Sequence, residues 1–243
     1  MARARAQNRL TLSLDAPPRT LFSAMRFRHM THMNRRFALL GLSALVLAPA
    51  AYAQQAAPAV LDGAARAEGL ALANRSLNAV QRLQGRFVQQ SPGGARATGM
   101  FYLQRPGRLR FQYDPPATLL IVADGNVVSM RDTELRTTER TPIRSTPLNI
   151  ILGQTINLER DARVLRVSRA GPWLLITARD RAGQTDGQIT LQFFGPNAEL
   201  RSWDVIDATG ARTRISLSEI TQPASFDRTL FRLEDVLPNR RRP

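Results

Sequence analysis

The chain has 243 residues, 43% hydrophobic and 22% charged, and its 34 basic against 19 acidic side chains give a net charge of +15. It contains neither cysteine nor lysine, which excludes disulfides, thiolate and Schiff-base chemistry, Cys-based zinc or iron–sulfur sites and a phosphate-loop lysine. Both histidines, His29 and His32, lie near the N-terminus, so the rest of the chain cannot build a Ser-His-Asp triad or a histidine-ligated zinc site.

Met33-Asn34-Arg35-Arg36, an apolar or small stretch at 37–47, Pro49 and Ala51-Tyr52-Ala53 have the order of a cleaved secretory signal: a short basic region, an apolar run, a small-x-small site. The run is too short for a permanent membrane anchor, which needs about 20 apolar residues. Arg35-Arg36 fits the twin-arginine export route only loosely. Residues 1–32 stand ahead of an otherwise complete signal and read as an extension upstream of a start at Met33, rather than as a nucleic-acid arm. Cleavage after Ala53 would leave residues 54–243 as a single domain, with 26 arginines against 18 carboxylates and a net charge of +8. Without disulfides, such a domain must hold its fold by packing, which its length allows.

Leucines 70, 72, 77 and 83 with Val80 come near a 3.6-residue period, predicting an amphipathic helix over Leu61–Leu83 with Gly63 and Gly69 as weak points. The period then changes to two. Gly99–Arg105 and Arg108–Tyr113 alternate around Pro106-Gly107, which predicts a hairpin. Thr118–Ala123 and Asn126–Arg131 flank the tight turn Asp124-Gly125. Further strands are predicted at Glu134–Arg140, Arg163–Arg169, Trp173–Arg179, Gln188–Phe194, Glu199–Ile206 and Arg212–Ile220, at the spacing of an antiparallel sandwich or barrel. Thr146-Pro147-Leu148-Asn149-Ile150-Ile151-Leu152-Gly153 interrupts this rhythm and reads as a short helix.

Alternation assigns faces. Phe101, Leu103 and Arg105 share one face of the first hairpin strand, and Leu109, Phe111 and Tyr113 share one face of the second. Gln104, Arg108, Arg110 and Gln112 take the other face. An RNA-reading sheet places aromatics and arginines on the same exposed surface; here they separate, so no nucleic-acid partner is expected. Arg105 lies by parity with the apolar residues, where an ion is costly unless acceptors meet its five donors. Either Pro106 ends the strand and leaves Arg105 in water at the rim, or the position has a function.

The ordered series Gly99-x-Phe101-x-Leu103-x-Arg105-Pro106-Gly107-Arg108-Leu109-Arg110-Phe111-x-Tyr113-x-x-Pro116, then Ile121-Val122-Ala123-Asp124-Gly125, then Thr146-Pro147-Leu148 and Ile151-Leu152, with Phe87-x-Gln89 ahead of it, resembles the LolA family of periplasmic outer-membrane lipoprotein carriers. The likeness is strongest from Leu77 to Gly153. It implies an unclosed antiparallel β-barrel of about eleven strands, mainly β with some α, wrapped around an apolar cavity and covered by lid helices. It also implies that Phe101, Leu103, Leu109, Phe111 and Tyr113 line that cavity. Leu109 stands where well-known members carry an aromatic at the mouth, and Phe111 where relatives often carry tryptophan. By the same resemblance Arg105 is the lid latch, and Pro147, Leu148, Ile150, Ile151 and Leu152 form the lid helix.

The implied role is non-enzymatic: a monomeric periplasmic chaperone that shields the acyl chains of lipoproteins and ferries them from the inner to the outer membrane, without cofactor or metal. An inner-membrane ABC exporter would load it and an outer-membrane acceptor would unload it. The acceptor branch of the family, LolB, requires an acylated cysteine, which this chain lacks. The alternative is a periplasmic sensor of lipid or lipoprotein built on the same half-barrel. A carboxylate-only hydrolase using Asp204 with Asp207, or Glu234 with Asp235, fares worse, because scattered surface carboxylates explain those pairs. Ser145, Ser168 and Ser202 have no histidine or lysine to activate them.

Overall fold

A computed structural model describes residues 57–181 and 187–233. The signal at 33–53, the extension before it, and Glu234, Asp235 and the arginines at 240–242 lie outside the described residues. The strands are β1 (Ala59–Val60), β2 (Arg82–Gln90), β3 (Arg96–Gln104), β4 (Arg108–Tyr113), β5 (Leu119–Asp124), β6 (Val127–Asp132), β7 (Thr137–Pro142), β8 (Ala162–Ala170), β9 (Trp173–Asp180), β10 (Gln188–Phe194), β11 (Glu199–Ile206) and β12 (Arg212–Thr221). The helices are α1 (Gly63–Ala79), α2 (Asn149–Leu152) and α3 (Leu158–Asp161).

All twelve strands form one antiparallel sheet in the order β1-β8-β9-β10-β11-β12-β2-β3-β4-β5-β6-β7. Two meanders, β2–β7 and β8–β12, join where β12 pairs with β2. The outer strands β1 and β7 do not pair with each other, so the sheet curls into an unclosed barrel. Its edges are blunted: β1 has two residues, and β7 is largely exposed and ends on Pro142.

Strand order dictates where the lid goes. The segment 143–161 has to run from β7 at one edge to β8 beside the other, so it crosses the gap and carries α2 and α3 over the concave face. Helix α1 lies on that face too, burying Gly69, Leu70, Ala73 and Leu77 on one stripe against β8 and β11.

Several element boundaries differ from the sequence reading, and two of the shifts have a clear physical cause. The helix stops at Ala79 rather than Leu83, with Val80 already extended, and the chain turns into β2. Val80 and Leu83 continue the helical spacing, yet β2 pairs over nine positions with β3 and also with β12, and these ladders override a local period. The strand expected at Glu134–Arg140 begins at Thr137. Asp132 accepts from the backbone N–H groups of Glu134 and Leu135 and from the Thr118 hydroxyl, which extends the turn by three residues and puts Arg136 at φ 53°.

Candidate functional site

Inward-facing residues of β3 and β4 meet in register, Phe101 opposite Phe111 and Leu103 opposite Leu109. Beside them lies a hollow of about 250 Å³. Its floor is Leu83, Phe101, Leu103 and Leu109; its sides are Leu200 and Trp203 of β11 and Leu217 and Ile220 of β12. Leu77 and Val80, where α1 ends, and Ile151 of α2 close it. Phe111 and Tyr113 share the inward face but lie beyond the hollow, Phe111 edge-on to Phe87 at 4.8 Å and Tyr113 edge-on to Phe87 at 4.9 Å.

Leu148, Ile150, Ile151 and Leu152 are all buried, with Pro147 half-buried ahead of them. A helix of four residues cannot hold itself together, and its ordering comes from the apolar space it plugs. Its final carbonyls are used by the turn between β3 and β4. Gly107 N–H donates to the Leu152 carbonyl at 2.8 Å, and Arg105 Nε donates to the Ile151 carbonyl at 3.2 Å. Gly107 holds φ at 73°, and a Cβ there would sit 2.7 Å from Gly125 Cα, so the turn cannot approach the next hairpin with any other residue.

Arg105 is 7% exposed. Its Nη1 donates to the carbonyl of Leu77, in the last turn of α1, a turn that carries no basic residue of its own. One guanidinium therefore joins the carbonyl ends of two helices, where partial negative charge favours a cation. Burial pulls its pKa down to about 10, so it remains a cation at neutral pH.

A second fastening, invisible to the hydrophobic pattern, holds the rest of the lid. Asn78 donates from Nδ2 to the Ile156 carbonyl at 2.7 Å and accepts from the Ile156 N–H at 2.8 Å. Asn74 accepts from the Leu158 N–H at 3.0 Å. Two asparagines four apart near the end of a helix, a residue type with poor helix propensity, are the signal that could have revealed this clamp.

The hollow also takes residues from β11 and β12, which sequence reasoning left unassigned. Asp204, on the opposite face of β11, is held by Arg214, whose Nε lies 2.7 Å from Oδ1, and by Arg212. Burial raises its pKa, but these arginines outweigh that and keep it below the usual carboxylate range. This is an ion cluster on the sheet's outside, not an acid–base pair. No helix among the described residues is long and apolar enough to cross a membrane.

A family model described as "Outer membrane lipoprotein carrier protein LolA" matches residues 78–234. The outer-membrane lipoprotein carrier protein of Leptothrix cholodnii is 29% identical over 214 residues, covering 84% of this chain and 94% of its own. That of Methylibium petroleiphilum is 26% identical over 185 residues, 72% of this chain and 90% of its own. Among solved structures, a LolA superfamily protein from Nitrosomonas europaea matches with a TM-score of 0.42 and 12% identity, over 71% of this chain and 99% of that one.

Proposed function

The chain belongs to the LolA family of outer membrane lipoprotein carrier proteins, and from that premise we propose that it shields the acyl chains of lipoproteins in its apolar hollow and carries them across the periplasm to the outer membrane. The family is one of non-enzymatic transport proteins. Export through the signal at 33–53, loading by an inner-membrane ABC exporter, delivery to an outer-membrane acceptor and action as a monomer complete the reading.

One observation supports it above the rest: a largely apolar hollow inside a curled sheet, plugged by a short helix whose fastenings can be undone. An acyl chain in water costs about 0.8 kcal/mol per methylene. Between a bilayer and a protein hollow most of that cost cancels, so small differences between lid states set the direction of transfer. An apolar cavity of about 150 Å³ takes up one benzene. On that scale a hollow of about 250 Å³ admits part of one chain, and a whole lipid anchor enters only as α2 leaves. Ile151 of α2 thus takes up room that cargo would need.

Arg105 gives this exchange a bias. With the lid shut and no cargo, its guanidinium has two carbonyl acceptors. With cargo holding the lid away, the Ile151 carbonyl is lost while hydrocarbon keeps water out. Charge-assisted hydrogen bonds are worth about 1.5–3 kcal/mol each, so the loaded state carries a penalty that favours release.

The test is transfer of a fluorescently labelled acylated lipoprotein from the loaded carrier to acceptor vesicles. The wild-type chain should keep the lipoprotein soluble and hand it over, whereas Arg105→Leu should load it and retain it. A wild-type chain that cannot keep it soluble refutes the carrier reading; equal release by the variant removes Arg105 from the mechanism.

A further inference from the structure

We infer that Trp203 and Arg201 form a polar seat within the hollow for the ester carbonyls of a diacylglyceryl lipid, an inference that rests on the carrier reading above.

The seat originates in a β-bulge. Strand β11 pairs with β10 as Leu191 with Trp203 and Gln192 with Ser202, but then Phe193 pairs with Leu200. Arg201 is the extra residue, and the alternation of β11 breaks around it. Leu200, Arg201 and Trp203 all line the hollow in consequence. Bulges re-aim side chains in this way beside functional sites.

Both side chains bring a buried donor that no acceptor among the described residues meets: the indole Nε1–H of Trp203 and the Nε–H of Arg201. Trp203 is 3% exposed and packs edge-on against Phe111, with ring centroids 6.2 Å apart. A leucine or phenylalanine would fill that wall without the cost of an unpaired N–H, and a buried donor without a partner is costly enough to call for an explanation. A hollow lined only by hydrocarbon grips any chain at any depth. Two N–H donors on residues of its wall would limit how far the chains slide in.

The acceptor they suit is neutral. Arg201 Nη2 already donates to Glu199 Oε2 at 2.5 Å, and Glu199 lines the same hollow. That carboxylate balances the guanidinium charge and repels a second anion, which disfavours a fatty-acid carboxylate or a phosphate. An ester carbonyl accepts hydrogen bonds without carrying charge, and a diacylglyceryl group offers two of them on neighbouring carbons.

Two probes test this on the intact protein: a synthetic lipopeptide whose N-terminal cysteine carries two ester-linked hexadecanoyl chains on glycerol, and its ether-linked counterpart, which lacks the carbonyls but keeps the hydrocarbon. The wild-type chain should bind the ester probe about fivefold or more tighter, the size expected for net hydrogen bonds of this kind. Trp203→Phe should shrink that preference, read as the ester-to-ether affinity ratio, to about twofold, whatever change the altered wall brings to hydrocarbon binding common to both probes. Arg201→Met should shrink it likewise. Equal binding of the two probes by the wild-type chain overturns the seat whatever the variants do, while leaving the carrier reading intact. Preference that survives both substitutions also overturns it. Binding of neither probe by the wild-type chain refutes the carrier reading, and the seat with it.

Discussion

The two ends of the same strands are built on different terms. Toward the Gly99 end of β3, the inner face is filled by rings: Phe87, fully buried, stands edge-on to both Phe111 and Tyr113. Gly99 makes room for it, since a Cβ there would lie 2.6 Å from the Phe87 ring and 2.1 Å from the Gln112 carbonyl oxygen. The Tyr113 hydroxyl donates to Gln89 Oε1 at 2.6 Å, and burial pushes its pKa up, so it stays a donor. Toward the Arg105 end the inner face carries Leu83, Leu103, Leu109, Leu217 and Ile220, and space remains. Helix α2 closes that space, held by a few polar contacts. The contrast teaches how one sheet serves two purposes. The aromatic end stabilises the fold, so the other end can stay incompletely packed, which the proposed exchange of plug for cargo requires.

Removing a ring should therefore cost far more than trimming the hollow. Phe87→Ala should lower unfolding stability by about 3–5 kcal/mol, read from urea or thermal unfolding. Leu109→Ala should cost about 2 kcal/mol, the lower end for such truncations, because one side of Leu109 already faces space. Equal losses in the two variants would break the comparison. Leu109→Ala should in addition change acyl-chain uptake, measured with a fluorescent lipid probe.

Lid fastening should matter less to global stability and more to local opening. Asn78→Ala removes two hydrogen bonds to Ile156, worth about 1–2 kcal/mol together. The expected result is faster amide exchange over residues 150–158, with protection of β2–β4 unchanged; uniform loss of protection would mean that the lid is not a separable unit.

The smallest effect expected comes from acid. Asp204 is bound more tightly as an anion in the folded state, so its contribution is present above the ordinary carboxylate value of 3.8 and is lost as pH falls below it. Arg105 does not titrate in that range. Asp204→Asn should flatten the acid arm of the stability–pH curve while leaving lid exchange unaltered, and an unchanged acid arm would show that the cluster adds nothing.

Much of the framework was legible in the residues. The strand Gln188–Phe194 begins and ends where alternation puts it, because it alternates between one buried face and one more open one. Arg105 stood out as the one ion on an apolar face. Legibility failed at β2, where a helical spacing ran on into residues that pair with the next strand, β3, and with β12 more than a hundred residues on. It failed again at Arg201, since a bulge is a mismatch between two strands and neither strand carries it alone. Phe111 and Tyr113 share the inward parity of Leu109, yet parity does not tell a wall from a packed ring.

The order of amino acids by itself determined the period-two alternation, the turns, and therefore which side chains point inward, because these depend on neighbours a few residues apart. Only the tertiary structure decided which inward residues fill the interior and which leave a hollow, where the two helix ends converge on Arg105, and that Trp203 faces the same space as Leu83. An internal space is the difference between the room a curled sheet encloses and the volume of side chains drawn from strands over a hundred residues apart, and no local pattern contains that difference.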